Sequence, residues 1–315
     1  MKSLSFYHPW LWCFWLVLSS AGTVPTARAQ APATRTVQVV TRTIEQQLPC
    51  PAGTLVRIRA EKAAVRVQGW DQPTVRLVLR LSARHPERAV AEQELPVARY
   101  QFEAHGRTID VVNYFALAAS APALRSDLRA DYTLMVPANV AVELRNAYGQ
   151  TAFTGLTGRQ TISQEFGPIT LLRLRGSLTV TAKYADLTGR DTDLTLDCDA
   201  DKSAVSLLGA AGRYTIRNRY GTIAVEPAEG LKSLDIEAER TEVKLVLARP
   251  ERFSYRLSCS QGPLQLPPEL AAAARQSAGR HVLQLTRPAP LPLLRVSTSY
   301  APISIQQPQS LTARP

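Results

Sequence analysis

Residues 143–153 read ELRNAYGQTAF, and the same eleven-residue beat returns as TISQEFGPITL at 161–171, TVTAKYADLTG at 179–189, DCDADKSAVSL at 197–207 and TIRNRYGTIAV at 215–225. Each start lies 18 residues after the one before it. Looser copies follow at Asp235 (DIEAERTEVKL), Arg256 (RLSCSQGPLQL) and Arg295 (RVSTSYAPISI), and an outlier precedes them at Arg57 (RIRAEKAAVRV). A fixed period of this length is the mark of a repeat architecture, and it takes precedence over reading single elements.

The repeat is legible position by position. Its second residue is apolar in every copy (Ile58, Leu144, Ile162, Val180, Cys198, Ile216, Ile236, Leu257, Val296), and the first and third are polar or charged. That alternation is a strand with one buried face. The residue before each unit extends the inward row, with Gln160 as its exception, and the ninth and eleventh residues form a second alternating strand, as in Ile169 and Leu171. Between the strands, the seventh residue is small: Gly149, Gly167, Gly221 and Gly262, or Ala63, Ala185, Ser203 and Ala301. Small residues there mark a sharp corner. Gly158, Gly176, Gly212 and Gly230 mark a return turn. Two strands, a corner and a turn in one period predict an all-β fold, a parallel β-solenoid with coils of 18 residues, each strand pairing with its counterpart one coil on, about 4.8 Å away.

The domain organisation follows. Residues 1–29 read as a secretory signal peptide: Lys2, an apolar run from Trp10 to Gly22, and Ala27-Arg28-Ala29 as a small-x-small cleavage pattern. The run is shorter than the roughly 20 residues of a membrane span. Trp12 before Cys13 is the wrong residue for a lipoprotein cleavage site. The chain is therefore expected to be exported, to the periplasm, the cell surface or the medium. Residues 30–142 are irregular and β-rich, the opening coils of the same body or else a separate sandwich, with a short helix near 87–94. Residues 143–305 are the regular solenoid, interrupted by a helical insertion near 268–278, and residues 306–315 form a disordered tail.

With these features in view, the chain resembles the bacterial "putative adhesin" family, exported β-solenoid domains related to the auto-transporter head domain adhesins. Gln68-Gly69-Trp70-Asp71, Val136-Pro137 and the Tyr-Gly coils carry the resemblance. It implies the architecture and a non-enzymatic adhesin or envelope scaffold, and it brings no catalytic residues with it.

The search for chemistry is otherwise lean. His85, His105 and His281 are scattered, with no zinc spacing and no nucleophile arrangement. No catalytic residue and no cofactor is expected. Cys198 and Cys259 fall three copies apart, beyond the roughly 7 Å reach of a disulfide, so both are expected to be free and inward. Asp197, Asp199 and Asp201 alternate on one strand and form an acidic edge or, alternatively, a calcium site. The same carboxylates would serve a carbohydrate-active enzyme, a lyase or glycosidase, if they met an arginine such as Arg217 in a deep groove. Arg57, Arg59, Arg145, Arg217 and Arg219 form an outward basic row. Tyr148, Phe166, Tyr184, Tyr220 and Tyr300 form an aromatic row at the sixth position, interrupted by Lys202 and Arg240, either as a structural ladder or as a sugar-stacking platform.

The formal charge of the whole chain is +11, and loss of Lys2 and Arg28 with the leader leaves +9. That charge favours anionic surfaces, but without a basic run it does not predict nucleic-acid binding. The expected partner is an envelope polysaccharide or another envelope protein, the latter in a sensor or assembly role.

Overall fold

The computed structural model describes residues 36–117, 122–288 and 290–308. The leader and the last part of the tail lie outside the described residues. From Val37 onward the described residues form one compact unit, nearly all β, whose strands join a single large, nearly closed, barrel-like sheet. That sheet is mixed rather than parallel throughout. No helix among the described residues is long and apolar enough to cross a membrane.

The 18-residue register is realised in the pairing. Strands β1 (Gln38–Pro49), β2 (Leu55–Glu61), β3 (Ala63–Trp70) and β4 (Thr74–His85) precede a single two-turn helix, α1 (Arg88–Glu94). They are followed by β5 (Ala98–His105), β6 (Thr108–Phe115), β7 (Asp127–Pro137), β8 (Ala141–Ala147), β9 (Gln150–Thr154), β10 (Arg159–Glu165), β11 (Ile169–Leu172) and β12 (Arg175–Lys183). Then come β13 (Leu187–Asp201) and β14 (Ala204–Val246). Parallel pairs place Glu143 beside Thr161, Thr161 beside Thr179, Thr179 beside Asp197 and Asp197 beside Thr215. The distant copy at Arg57 pairs directly with Glu143. β14 is 43 residues of continuous pairing, and it is folded at left-handed residues, Tyr220 (φ 57) and Arg240 (φ 47), rather than extended.

The irregular ends depart from this order. At the start, β4 runs antiparallel to both β1 and β7, and β5 antiparallel to β6. β4 to β7 form an insertion between the Arg57 copy and its partner at Glu143, and β1, which precedes the Arg57 copy, pairs onto β4. The expected helix near 87–94 is α1, and no separate sandwich forms. At the other end lie β15 (Ser254–Ser260), β16 (Leu264–Gln265), the single-turn α2 (Pro268–Ala271), β17 (Ala274–Ser277), β18 (Arg280–Leu285), β19 (Leu293–Ser299) and β20 (Ile303–Gln306).

Here the expected succession fails: β19 pairs with β14 on one side and β15 on the other, so the Arg295 copy is threaded between the Asp235 and Arg256 copies. The expected helical insertion shrinks to α2, because Ala274–Ser277 leaves the helix to form a hairpin with β18.

Inward rows meet in one core. Ile58, Leu144, Cys198, Ile216, Ile236, Leu257 and Val296 are fully buried. Burying a side chain of this size is worth about 1.5–3 kcal/mol, so a row that continues through every copy is the main cohesive term. Gln160, the apolar exception, is also buried and donates to the Gly158 carbonyl at 2.7 Å.

Candidate functional surface

Every copy turns its corner the same way. The sixth residue is left-handed in all of them: Lys62 (φ 49), Tyr148 (58), Phe166 (57), Tyr184 (51), Lys202 (50), Tyr220 (57), Arg240 (47), Gln261 (56) and Tyr300 (60). This differs from the sequence expectation, which put the conformational demand on the glycine that follows. Gly149 has an ordinary φ, and its small size serves another purpose. A Cβ there would lie 1.8 Å from the Ala63 carbonyl oxygen of the neighbouring repeat. At Gly149 glycine is thus needed for close approach while the larger residue before it carries the left-handed backbone; Gly167, with φ 109, needs glycine for its conformation as well, as the sequence led one to expect.

The reason a large residue is favoured at a strained site lies in what the side chains do. Tyr148 stacks on Phe166 with centroids 4.9 Å apart and planes within 6°, and Phe166 on Tyr184 at 5.1 Å and 8°. Lys202 continues the row, its Nζ 4.9 Å from the Tyr184 centroid and donating to the Tyr184 hydroxyl at 2.8 Å. That hydrogen bond, first among the causes, raises the lysine pKa. Arg240 lies between Tyr220 (5.5 Å) and Tyr300 (5.7 Å), and Lys62 reaches Phe115 at 5.9 Å. The cations that interrupt the aromatic row in sequence therefore extend it in space.

A left-handed residue costs about 1–2 kcal/mol, while a stack returns about 0.5–1.5 and an exposed cation–π contact about 0.5–1. Stacking offsets much of the corner strain. Backbone bonds between repeats, such as Tyr148 N–H to the Glu165 carbonyl at 2.9 Å and Phe166 N–H to that of Lys183 at 3.0 Å, supply more.

Beneath the corner, fourth-position polar residues satisfy its carbonyls. Asn146 donates to Ala63 and Gln164 to Gly149, while Thr151 donates to Gln164 Oε1 at 2.7 Å. Asn218 and Thr298 act likewise farther along. Their donors are bonded, as buried polar groups require, while the Asn146 and Asn218 Oδ1 atoms have no partner among the described residues.

The ladder is exposed, from 39% at Phe166 to 63% at Tyr300. Exposure does not make it a general stacking platform, because Phe166 and Tyr184 are covered on both faces and Tyr220 and Tyr300 each carry Arg240 on one. What faces solvent along most of its length is a strip of ring edges, hydroxyls and charged heads.

Beside the ladder runs a trough. One bank is the third-position row, including Arg59, Arg145, Thr181, Asp199, Arg217 and Glu237. The other is the fifth-position row, with Glu61, Glu165, Lys183, Asp201, Arg219 and Glu239. The fourth-position residues, whose side chains turn inward, leave the floor between them. Two open depressions share Thr181 and Lys183 and so form one channel. Six repeat steps at about 4.8 Å make it roughly 30 Å long.

The sequence-expected clusters can now be placed. The Arg217 guanidinium bonds Asp197 at 2.6 Å and Asp199 at 2.7 Å, and the Asp199 hydrogen bond leads the causes that raise its already high pKa. Among the described residues no group of three metal-ligating side chains converges; Asp197 and Asp199 share the Arg217 guanidinium instead. Arginine and carboxylates do meet, as a carbohydrate-active site would require, but on an exposed bank of an open trough.

The basic row is not a continuous stripe. Arg57 pairs with Asp110 and Glu143, and Arg145 also with Glu143, while Arg217 and Arg219 lie four repeats farther on. All three described cysteines are free and buried. Threading of the Arg295 copy sets Cys198 and Cys259 four repeat steps apart instead of three, so the expected separation widens. Burial, with the Asp199 and Asp197 carboxylates behind it, pushes the Cys198 thiol up to about 12.

No family model matches the chain, and no curated protein matches it significantly. Three solved structures are similar over most of their length. A "putative cell adhesion protein" of Clostridium sporogenes is 7% identical with a TM-score of 0.27, covering 85% of this chain and 100% of that one. A "putative lipid binding protein" of Parabacteroides distasonis is 12% identical with a TM-score of 0.41, covering 85% and 96%. A "putative adhesin" of Bacteroides fragilis is 8% identical with a TM-score of 0.27, covering 84% and 97%. These likenesses are distant, and any functional reading has to rest on the surface itself.

Proposed function

We propose that this chain is an exported, non-enzymatic β-solenoid of adhesin type that binds an extended envelope polysaccharide along the trough. The observation that supports it is the continuity of that trough beside the exposed ladder. Its banks carry both carboxylates and guanidinium or ammonium groups, with Ser163, Thr181 and Ala147 as uncharged steps, so hydroxyls of a linear polymer find charged partners of either sign along its length. Each such contact is weak, and many along one rigid body add to useful avidity.

The test is co-sedimentation of the full chain with purified envelope polysaccharide. Thr181→Trp, at the point shared by the two halves of the trough, should reduce binding at least about tenfold, equivalent to about 1.4 kcal/mol, with an unchanged melting temperature. Undiminished binding by that variant would remove the trough from the proposal.

A carbohydrate-active enzyme is the second reading, supported by Arg217 meeting Asp197 and Asp199. Glycoside hydrolysis needs two carboxyl groups on opposite sides of the scissile bond, one of them protonated. Here both carboxylates turn to one cation. New reducing ends appearing when the polysaccharide is incubated with the protein would favour the enzyme.

A further inference from the structure

Only part of the ladder lacks a cover. In the three-ring stack Phe166 is enclosed on both faces and Tyr184 carries Phe166 on one and Lys202 on the other. Tyr148 stacks on Phe166 alone, and among the described residues neither a ring nor a cation lies over its second face. It is 60% exposed.

Tyr148 also lines a cleft of about 710 Å³, separate from the trough and on the other side of the corner. Its wall has a simple origin. β3 begins at Ala63, which pairs with Ala130, whereas β7 begins at Asp127 and stays paired there to Arg84 of β4. The β4–β7 pair therefore overhangs the corner by three residues, roughly 10 Å, and stands beside the ladder instead of turning with it.

The charges of this cleft are unevenly committed. Asp127 is held by Arg129 at 2.8 Å and Asp131 by Arg80 at 3.4 Å. Lys62 and Arg84 line the same cleft, and no ion pair engages either among the described residues. An apolar ring face, Arg84 with no ion pair or ring contact among the described residues, Lys62 held only over the Phe115 ring, and the paired carboxylates describe a place for a flat, hydroxylated ring that carries a negative charge.

We infer that the cleft beside Tyr148 is a subsite for one anionic sugar unit, a uronate, with its ring on Tyr148 and its carboxylate between Arg84 and Lys62. The ligand class rests on the polysaccharide reading above, while the site does not depend on the trough. A guanidinium can take a carboxylate through two parallel hydrogen bonds, which a neutral sugar cannot return. Asp127 and Asp131, already bonded, are left to accept from hydroxyls.

The experiment is calorimetric titration of the full chain with digalacturonate, too short to occupy the trough, and with cellobiose as the neutral counterpart. Digalacturonate should bind at least about tenfold more tightly than cellobiose, and Arg84→Gln should erase that preference, since the charge-assisted pair to the carboxylate is lost. Tyr148→Asn, a residue that tolerates the left-handed backbone, should weaken both sugars. Arg84 is on the surface, so its variant tests the site even if the Tyr148 variant folds poorly.

Equal binding of the two sugars, indifference to Arg84→Gln, or no binding of digalacturonate would each overturn the inference. Thr181→Trp separates the two proposals. Digalacturonate binding that survives this variant, alongside polymer binding that ignores it, would leave the subsite standing and the trough refuted.

Discussion

Phe166 isolates the forces that hold the corner. It contacts rings on both sides, at 4.9 and 5.1 Å, and its φ is 57°. Phe166→Asn keeps a residue able to adopt that backbone and removes both stacks, so at about 0.5–1.5 kcal/mol per stack the loss should be about 1–3 kcal/mol. Phe166→Val loses the same stacks and forces a β-branched residue into the left-handed region, which adds about 1–2 kcal/mol. The Asn variant should therefore melt a few degrees below the parent and the Val variant lower again, with urea midpoints in the same order. Tyr148→Asn combined with Phe166→Asn should lose less than the sum of the two, by about 0.5–1.5 kcal/mol, because the rings share one contact. A valine variant no worse than asparagine would show that the backbone angle carries no cost. A harmless asparagine would show that stacking carries no benefit.

The glycine roles separate in a similar way. Gly149→Ala places a methyl against the Ala63 carbonyl and should destabilise strongly, whereas Gly155→Ala meets nothing within 4 Å and should cost only about 1–2 kcal/mol for its φ of 65°; thermal melts of the two variants decide it. Alkali should also weaken the fold. Burial raises Cys198 from 9.0 to about 12 and Tyr214 from 10.0 to about 12, so the stability held by their neutral forms is complete below pH 9 and is lost as pH rises toward 12. For the thiol alone the loss reaches about 4 kcal/mol at the upper end. Cys198→Ala should flatten the fall in melting temperature between pH 9 and 12, and an identical decline in both proteins would contradict the assignment.

Much of this was legible in the sequence. The alignment of Arg57 with Glu143, across an insertion of more than seventy residues, is the actual strand register. It could be read because inward rows must match wherever repeats stack. The ion pair of Arg217 with Asp199 follows from the same spacing, since third positions of adjacent repeats are neighbours. The threading of the Arg295 copy could not be read, because a repeat sequence matches any neighbour equally well and says nothing of the order in which copies dock. The left-handed sixth position was hidden behind the glycine beside it; its signal was a row of large rings and cations at a turn, where small residues are the norm. The cleft beside Tyr148 depends on β4 and β7, which lie outside the period, and no pattern at 18 residues could announce their overhang.

The threading also bears on how the chain is completed. Segments made earlier, from Ser254 to Ser260, find their parallel neighbour only in Leu293–Ser299, which emerges later. Until Leu293–Ser299 is made, the Asp235 copy offers an open parallel edge and the Arg256 copy can pair only with β18, antiparallel, across Tyr255–Ser260. In the folded chain β19 lies between two segments that both precede it in sequence. Leu293–Ser299 is thus the one segment that joins the edge of the Asp235 copy to that of the Arg256 copy, and its removal would leave both parallel edges without the partner they have here.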